Sequence, residues 1–413
     1  MPLNYFQCSQ CGCRFEPSQV TYTCQTCGGN LDMHFSFEKQ PAEVDQTAIL
    51  ESKEASLWRY APLLPVYDPG FQHTPLHQAG FTPVYQPESL RDKLGLKTLL
   101  VKDESSNPSA SFKDRASAIV VSRAIEANIN TIITASTGNA GAAMACMAAS
   151  VGKRAIIIAP RSAPPAKIAQ LLTYNAEVIL IEGSYDQAFD LSIAASNEFG
   201  WYNRNTGYNP YTVEGKKTAG LEIWEQVLRN LPPESALNIF IPVGDGNILC
   251  GIAKAFLDLL ALGWINKLPR LIGVQAQGSA AIYNAFVHSS HQIEAVQADT
   301  MADSISVDMP RDGLRALKRV CESQGFFITV SDQQILEAIP QLGSAGLFVE
   351  PAAASAYAGL VKALDNKLVD PATPTLVLAT GSGLKDIQAA MRAVHPAPII
   401  EPRLDKLKEV LGV

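Results

Sequence analysis

Lys113 is the residue whose surroundings most directly suggest chemistry. It stands in Asn107-Pro108-Ser109-Ala110-Ser111-Phe112-Lys113-Asp114-Arg115, between an apolar run expected to be a strand (Thr98 to Val101) and a helical pattern from Ala116 to Ala127. Pro108 and the serines around it make a turn, and Ser109 or Ser111 is placed to cap the helix. Lys113 then falls in or just before the first helical turn. The partial positive charge of a helix start opposes protonation there, which favours a neutral, nucleophilic amine. Such a lysine suits a Schiff base with an aldehyde cofactor. Taken alone, the stretch reads equally as a solvated lysine at a helix start.

Three other loops supply what such a cofactor needs. Gly244-Asp245-Gly246-Asn247 follows an expected strand (Asn238 to Ile241) and precedes a helix expected to begin near Leu249. Glycines at a helix start let a phosphate approach backbone amides. Ser136-Thr137-Gly138-Asn139 also lies between a strand and a helix, and its amides and hydroxyls suit the carboxylate of an amino-acid substrate. Thr380-Gly381-Ser382-Gly383-Leu384-Lys385-Asp386 follows a strand pattern at Leu376 to Ala379. Each loop alone is an ordinary strand-to-helix turn.

Together with Asn-Pro-Ser-Ala-Ser-Phe-Lys-Asp-Arg, these loops resemble the fold type II pyridoxal-phosphate enzymes, and within them the threonine synthase branch. The resemblance runs from about Arg59 to about Arg392. It includes Arg59-Tyr60-Ala61-Pro62-Leu63-Leu64-Pro65, Gly80-Phe81-Thr82-Pro83-Val84 and Glu350-Pro351-Ala352-Ala353-Ala354. It implies pyridoxal 5'-phosphate on Lys113, with Phe112, Asn139, Gly244, Asp245, Gly246, Asn247 and Thr380 around the cofactor. Asn139 would face the phenolic oxygen and the Thr380 hydroxyl the ring nitrogen. Ser136, Thr137, Gly138 and Thr206 would hold the substrate, and Glu350 would support the site. A hydroxyl, unlike a carboxylate, does not keep the ring nitrogen protonated, which favours elimination and replacement over transamination.

The implied activity is conversion of O-phospho-L-homoserine and water to L-threonine and phosphate, by a homodimer. Between Asn203 and Thr218 the wording departs from that branch. Thr206 and Gly207 stand where Asn-Ser is usual, and Thr212 where an arginine is usual; Arg204, Lys216 and Lys217 are the nearby cations that could substitute. That departure keeps a second reading open, a lyase or synthase working at the β-carbon: a serine/threonine dehydratase, a diaminopropionate ammonia-lyase or a cysteate synthase-like enzyme. A third makes the chain a binding module, against which the intact Lys113 and the acidic charge both count.

The cysteines suggest a separate site. Cys8-x2-Cys11 and Cys24-x2-Cys27, each followed by glycine, have the spacing of two knuckles around one tetrahedral zinc. Four thiolates close the shell, so the ion is structural. Cys13 falls outside the spacing, while Cys146, Cys250 and Cys321 read as small core residues.

Strand and helix patterns alternate from Lys97 onward: strands near Thr131–Thr134, Ala155–Ile158, Val178–Ile181, Leu271–Gln275 and Phe326–Val330. Helices are expected near Gly141–Ala149, Lys167–Tyr174, Tyr185–Phe199, Gly251–Leu262 and Asp332–Leu342. Such alternation predicts parallel sheets covered on both faces. The expected architecture is two three-layer α/β domains after a ribbon at 1–35. The larger comprises 36–104 and 218–413, the smaller 105–217, and the site lies where strand ends face the gap.

With 47% hydrophobic and 18% charged residues among 413, the chain has the composition of a soluble globular protein. Its net charge of −7, with no basic stripe, argues against a nucleic-acid binder held by phosphate contacts. No apolar run reaches membrane-spanning length; Ala236 to Ile265 is broken by Pro242, Asp245, Asn247, Lys254 and Asp258. The first residues lack the basic and apolar regions of a signal peptide, so a cytoplasmic enzyme of small amino acids is expected.

Overall fold

The computed structural model describes residues 3–36, 44–163, 165–232 and 234–413. The expected polar connector at 38–54 lies partly outside them; its described end carries a short helix, Gln46–Glu51. The long apolar runs become strands because both faces of each are covered. Thr131–Ala135, Asn238–Pro242 and Thr375–Ala379 are buried at every position.

The strands form three sheets. The first has the order Phe326–Val330, Arg270–Ala276, Asn238–Pro242, Thr375–Ala379, Leu99–Asp103, Val84–Tyr85. It is parallel except for the antiparallel edge pair Val84–Tyr85 with Leu99–Asp103. The second is wholly parallel: Glu177–Ile181, Arg154–Pro160, Thr131–Ala135, Tyr202–Asn203. The third, antiparallel, is built from Arg14–Phe15, Leu3–Cys8 and Leu31–Phe35 and belongs to the N-terminal ribbon.

Helices cover both larger sheets, as the alternation predicts. Two expected elements keep their bounds, the helix Tyr185–Phe199 and the strand Phe326–Val330. The helix expected near Leu249 instead starts at Asn247. Several helices were not expected, among them Gly313–Glu322 and Tyr211–Gln226, the latter beginning in the segment whose wording departs from the family. It is buried over nearly its whole length, and its charged side chains include Glu214, Lys216, Lys217 and Glu222.

Burial of Glu214, Lys217 and Glu222 holds because each is paired with an opposite charge, while Lys216 is held by the Asn247 side chain. Arg115, Lys102, Glu104 and Glu222 form one cluster in which all four side chains are fully buried. Glu222 also accepts from the backbone amides of Phe81 (2.7 Å) and Thr82 (3.1 Å). The cluster ties the helix carrying Lys113 to the Leu99–Asp103 strand and to Tyr211–Gln226. Arg59 and Tyr60 have a parallel role, both donating to Glu225, the tyrosine hydroxyl at 2.6 Å.

Candidate active site

Lys113 is the first residue of the helix Lys113–Glu126. The expected serine cap is not formed. Ser109 donates its amide to the Asp114 carboxylate at 2.6 Å, and its hydroxyl bonds the same group, while the Ser111 hydroxyl is buried without a partner. The preceding loop is held from the other side by backbone bonds. Phe112 N donates to Thr380 O (2.9 Å), Ser382 N donates to Ala110 O (3.1 Å), and Ser111 pairs with Gly381. Lys113 is thus fixed opposite Thr380, whose hydroxyl is also buried without a partner.

Lys113 and Thr380 open onto a cavity of about 550 Å³. It lies at the carboxyl ends of strands from both large sheets, as expected for α/β folds. Ser136, Thr137, Gly138, Asn139, Thr206, Gly244, Asp245, Gly246 and Asn247 all line it. Phe112 does not: its ring is fully buried in the core, with the Arg115 guanidinium 5.8 Å from its centre. Burial, with Arg204 close by, lowers the Lys113 pKa, while Glu350 and Asp245 oppose the shift. Glu350 holds Asn139, which donates to its two oxygens at 3.1 and 2.8 Å.

The loop at 244–247 is shaped for an anion. Gly246, at φ +88°, precedes the helix Asn247–Ala261. A Cβ on Gly244 would come within 2.9 Å of Ile305 Cα, and one on Gly246 within 2.8 Å of Ala316 Cβ. Only glycine leaves the amides open and the backbone unstrained. Gly246→Ala is therefore expected to weaken pyridoxal-phosphate binding at least about tenfold, read by titrating apoenzyme with the cofactor.

The three cations singled out between Asn203 and Thr218 separate sharply. Lys217 turns away, donating to Leu63 O at 2.8 Å and pairing with Glu214 and Asp258. Lys216, one residue earlier, lines the cavity and donates to the Asn247 side chain. Burial, together with Arg204 and Lys113, drives its pKa well down. Arg204 is fully buried in the same wall, with Nη1 on Thr206 Oγ1 (2.7 Å), Nε on Ser117 Oγ (3.2 Å) and Nη2 without a partner. Burial lowers its pKa to about 10, which still leaves it cationic at neutral pH. Thr212 is turned to its own helix start, its hydroxyl on Asn209 O.

Across the cavity lies the segment 303–309, and Lys167 pairs with Asp303 between the two walls. Arg311 at the rim pairs with Asp186 at 2.6 Å. Asp312, which holds the Asn247 amide, was not expected from the sequence; nothing but its place beside the helix Gly313–Glu322 marks it.

Residues 76–381 match the pyridoxal-phosphate dependent enzyme family. Over 408 residues, 98% of each chain, the protein is 35% identical to threonine synthase of Methanocaldococcus jannaschii. It is 33% identical over 411 residues, again 98% of each chain, to threonine synthase of Methanosarcina acetivorans. The chain belongs to the threonine synthase branch of the pyridoxal-phosphate-dependent enzymes. Among solved structures it resembles processed threonine deaminase isoform 2 of Solanum lycopersicum. The TM-score is 0.66 at 22% identity, covering 80% of this chain and 90% of the other. Diaminopropionate ammonia lyase of Escherichia coli superposes with a TM-score of 0.65 at 19% identity, covering 84% and 92%. These two share the fold. Family membership makes the protein a lyase using pyridoxal phosphate, and the cavity fits that group. Thr380 Oγ1 lacks a partner where a ring nitrogen would supply one, and the glycine cradle would take the phosphate.

The second site is equally well formed. One thiol atom from each of Cys8, Cys11, Cys24 and Cys27 lies within 4.8 Å of all the others. Gln10 N (3.4 Å) and Cys11 N (3.5 Å) donate to Cys8 Sγ, and Thr26 N (3.4 Å) donates to Cys24 Sγ, which favours thiolates and a thiophilic ion. Cys146 and Cys250 are buried as expected, but Cys321 is exposed, on the solvent face of the helix Gly313–Glu322.

Proposed function

We propose that the protein forms L-threonine and phosphate from O-phospho-L-homoserine and water. The observation that carries this reading is the wall of the Lys113 cavity formed by Arg204 and Lys216. Arg204 offers an unpartnered, buried guanidinium edge, and Lys216 adds an amine donor, where the usual phosphate ligands are replaced by Thr206, Gly207 and Thr212. A guanidinium fork suits a phosphate oxygen pair.

Bound pyridoxal phosphate supplies an electron sink conjugated to the substrate's α-carbon. The chain's own groups do the rest. Lys113, its charged form disfavoured by burial, is placed to take the α-proton and return it. The amides and hydroxyls of 136–138 orient the substrate carboxylate. Arg204 and Lys216 hold the phosphate as charge builds on its leaving oxygen. Residues 303–309 form the facing side of the cavity, tied to the smaller sheet's domain by the Lys167–Asp303 pair.

The test is phosphate release and threonine formation by the cofactor-loaded protein. Arg204→Met is expected to raise KM for O-phosphohomoserine roughly 100-fold, with the cofactor absorbance unchanged. A wild-type protein that releases neither product would overturn the reading and turn attention to β-substituted amino acids. The same reading takes zinc in the four-cysteine site, a homodimer in the cytoplasm, and the partition 1–35, 36–104 with 218–413, and 105–217. Tyr211–Gln226 crosses the last boundary as a shared helix.

A further inference from the structure

The ribbon is docked against the segment that forms the cavity's cationic wall. Asn30 Nδ2 donates to Gly207 O at 2.8 Å, and the Tyr22 hydroxyl accepts from Asn203 N at 3.0 Å. The Tyr22 ring stacks on Tyr208 with centroids 4.6 Å apart. Contacts from the ribbon thus reach Asn203, Gly207 and Tyr208, the residues that bracket Arg204 and Thr206. Gly207 has no room to adjust: its φ is +74°, and a Cβ there would lie 2.5 Å from Arg311 Cβ.

A second route runs through buried charges. Asp32 accepts from Arg315 Nη1 at 2.7 Å and from Arg319 Nη2 at 2.8 Å. Arg315 grips Asp312 by two bonds, at 2.9 and 2.6 Å. Asp312 accepts from the Asn247 side chain, which in turn accepts from Lys216 in the cavity. Asp32, Arg315, Asp312, Asn247 and Lys216 are all buried, so each depends on the next to compensate its loss of water.

Both routes start close to the knuckles. Asn30 O accepts from Ser9 N at 2.9 Å, and Asn30 pairs with Thr23, so the two knuckles share this residue. Asp32 lies two residues beyond it, and Tyr22 adjoins its bridge partner Thr23. The ribbon strands are short, and a small ribbon holds its shape through its ion.

We propose that the ribbon is a positioning element of the active site. Through Tyr22, Asn30 and Asp32 it sets the wall that holds the substrate's anionic group, so emptying the four-cysteine site loosens that wall. The choice of an oxyanion as ligand rests on the function proposed above; the mechanical coupling does not.

The test uses the full-length holoenzyme and the variants Tyr22→Phe, Asn30→Ala and Asp32→Asn, with wild type stripped of its ion by a thiol reagent as a fourth sample. Hydrogen exchange is expected to quicken about tenfold at residues 203–209, with the central strands Asn238–Pro242 and Thr375–Ala379 unchanged. KM for O-phosphohomoserine and Kd for inorganic phosphate are expected to rise about tenfold, with kcat within about twofold and cofactor absorbance intact. Exchange at 203–209 that matches wild type in all four samples overturns the proposal, as does faster exchange spread evenly over the chain. Tyr22→Phe keeps the ring stack and removes only an acceptor, so it serves if Asp32→Asn does not fold. If wild type binds no phosphate and uses no O-phosphohomoserine, the proposed function fails, and the exchange pattern still decides the ribbon's role.

Discussion

Replacing Lys113 with alanine is expected to lower turnover by at least about 10³-fold. The side chain is enclosed at the head of its helix, lines the cavity together with Thr380 and has its charged form disfavoured by burial. Arg204 and Lys216 are guanidine and amine groups lining the same cavity, and each is anchored in place by its neighbours. Arg204 donates to Thr206 and Ser117, and Lys216 donates to Asn247. Neither can take over proton transfer at the α-carbon. The variant should still fold, because Lys113 makes no hydrogen bond that a neighbour depends on and Arg115, two residues on, carries the structural pairs. The measurement is single-turnover product formation beside the cofactor's absorbance. Activity within tenfold of wild type would remove Lys113 from its assigned place.

Glu222→Gln is expected to cost about 3–5 kcal/mol of stability, because it leaves two fully buried cations short of a carboxylate. Burial alone would raise the Glu222 pKa; Arg115 and Lys102 outweigh it and hold the group at about 2, against an ordinary 4.5. The folded pKa lies below the unfolded one, so the unfolded chain takes up protons first on acidification. The stabilisation is complete above about pH 4.5 and is lost as pH falls towards 2. The variant should therefore show a lower urea midpoint at pH 7 than wild type, with the gap shrinking below about pH 4.5. An unchanged midpoint at pH 7 would mean that the amides of Phe81 and Thr82, and not the charges, set the value of this cluster. Activity should fall with stability, since the cluster anchors the helix that begins at Lys113.

Much of this was legible in the chain. Apolar runs read plainly as strands: the edge strand Phe326–Val330 was legible to the residue, and the fully buried Thr131–Ala135 and Thr375–Ala379 to within one residue. Three of the four loops that meet at the cavity were legible because each needs special residues: glycines at 244 and 246, a lysine at a helix start, a threonine after a strand. Tyr211–Gln226 was not, for a physical reason. A helix buried on all sides through ion pairs shows no apolar stripe, and its partners at Lys102, Arg115 and Asp258 lie far away in sequence. The roles of Lys216 and Lys217 were hidden for the same reason, since adjacent helical residues point about 100° apart. The serine caps failed because Asp114 claimed Ser109 first.

The strand Leu99–Asp103 sits between Val84–Tyr85 and Thr375–Ala379, a neighbour made about 270 residues later. At roughly 5–20 residues per second, a ribosome needs some tens of seconds to deliver that neighbour. Through that interval an apolar strand, bearing the lead-in to Lys113, has one open edge and no sheet to enter. The backbone stitch from Ala110 and Phe112 to residues 380–382 has to wait equally long. A chain ending before Thr375 would lack both this strand's second neighbour and the stitch at 380–382, leaving an open apolar edge as a template for aggregation.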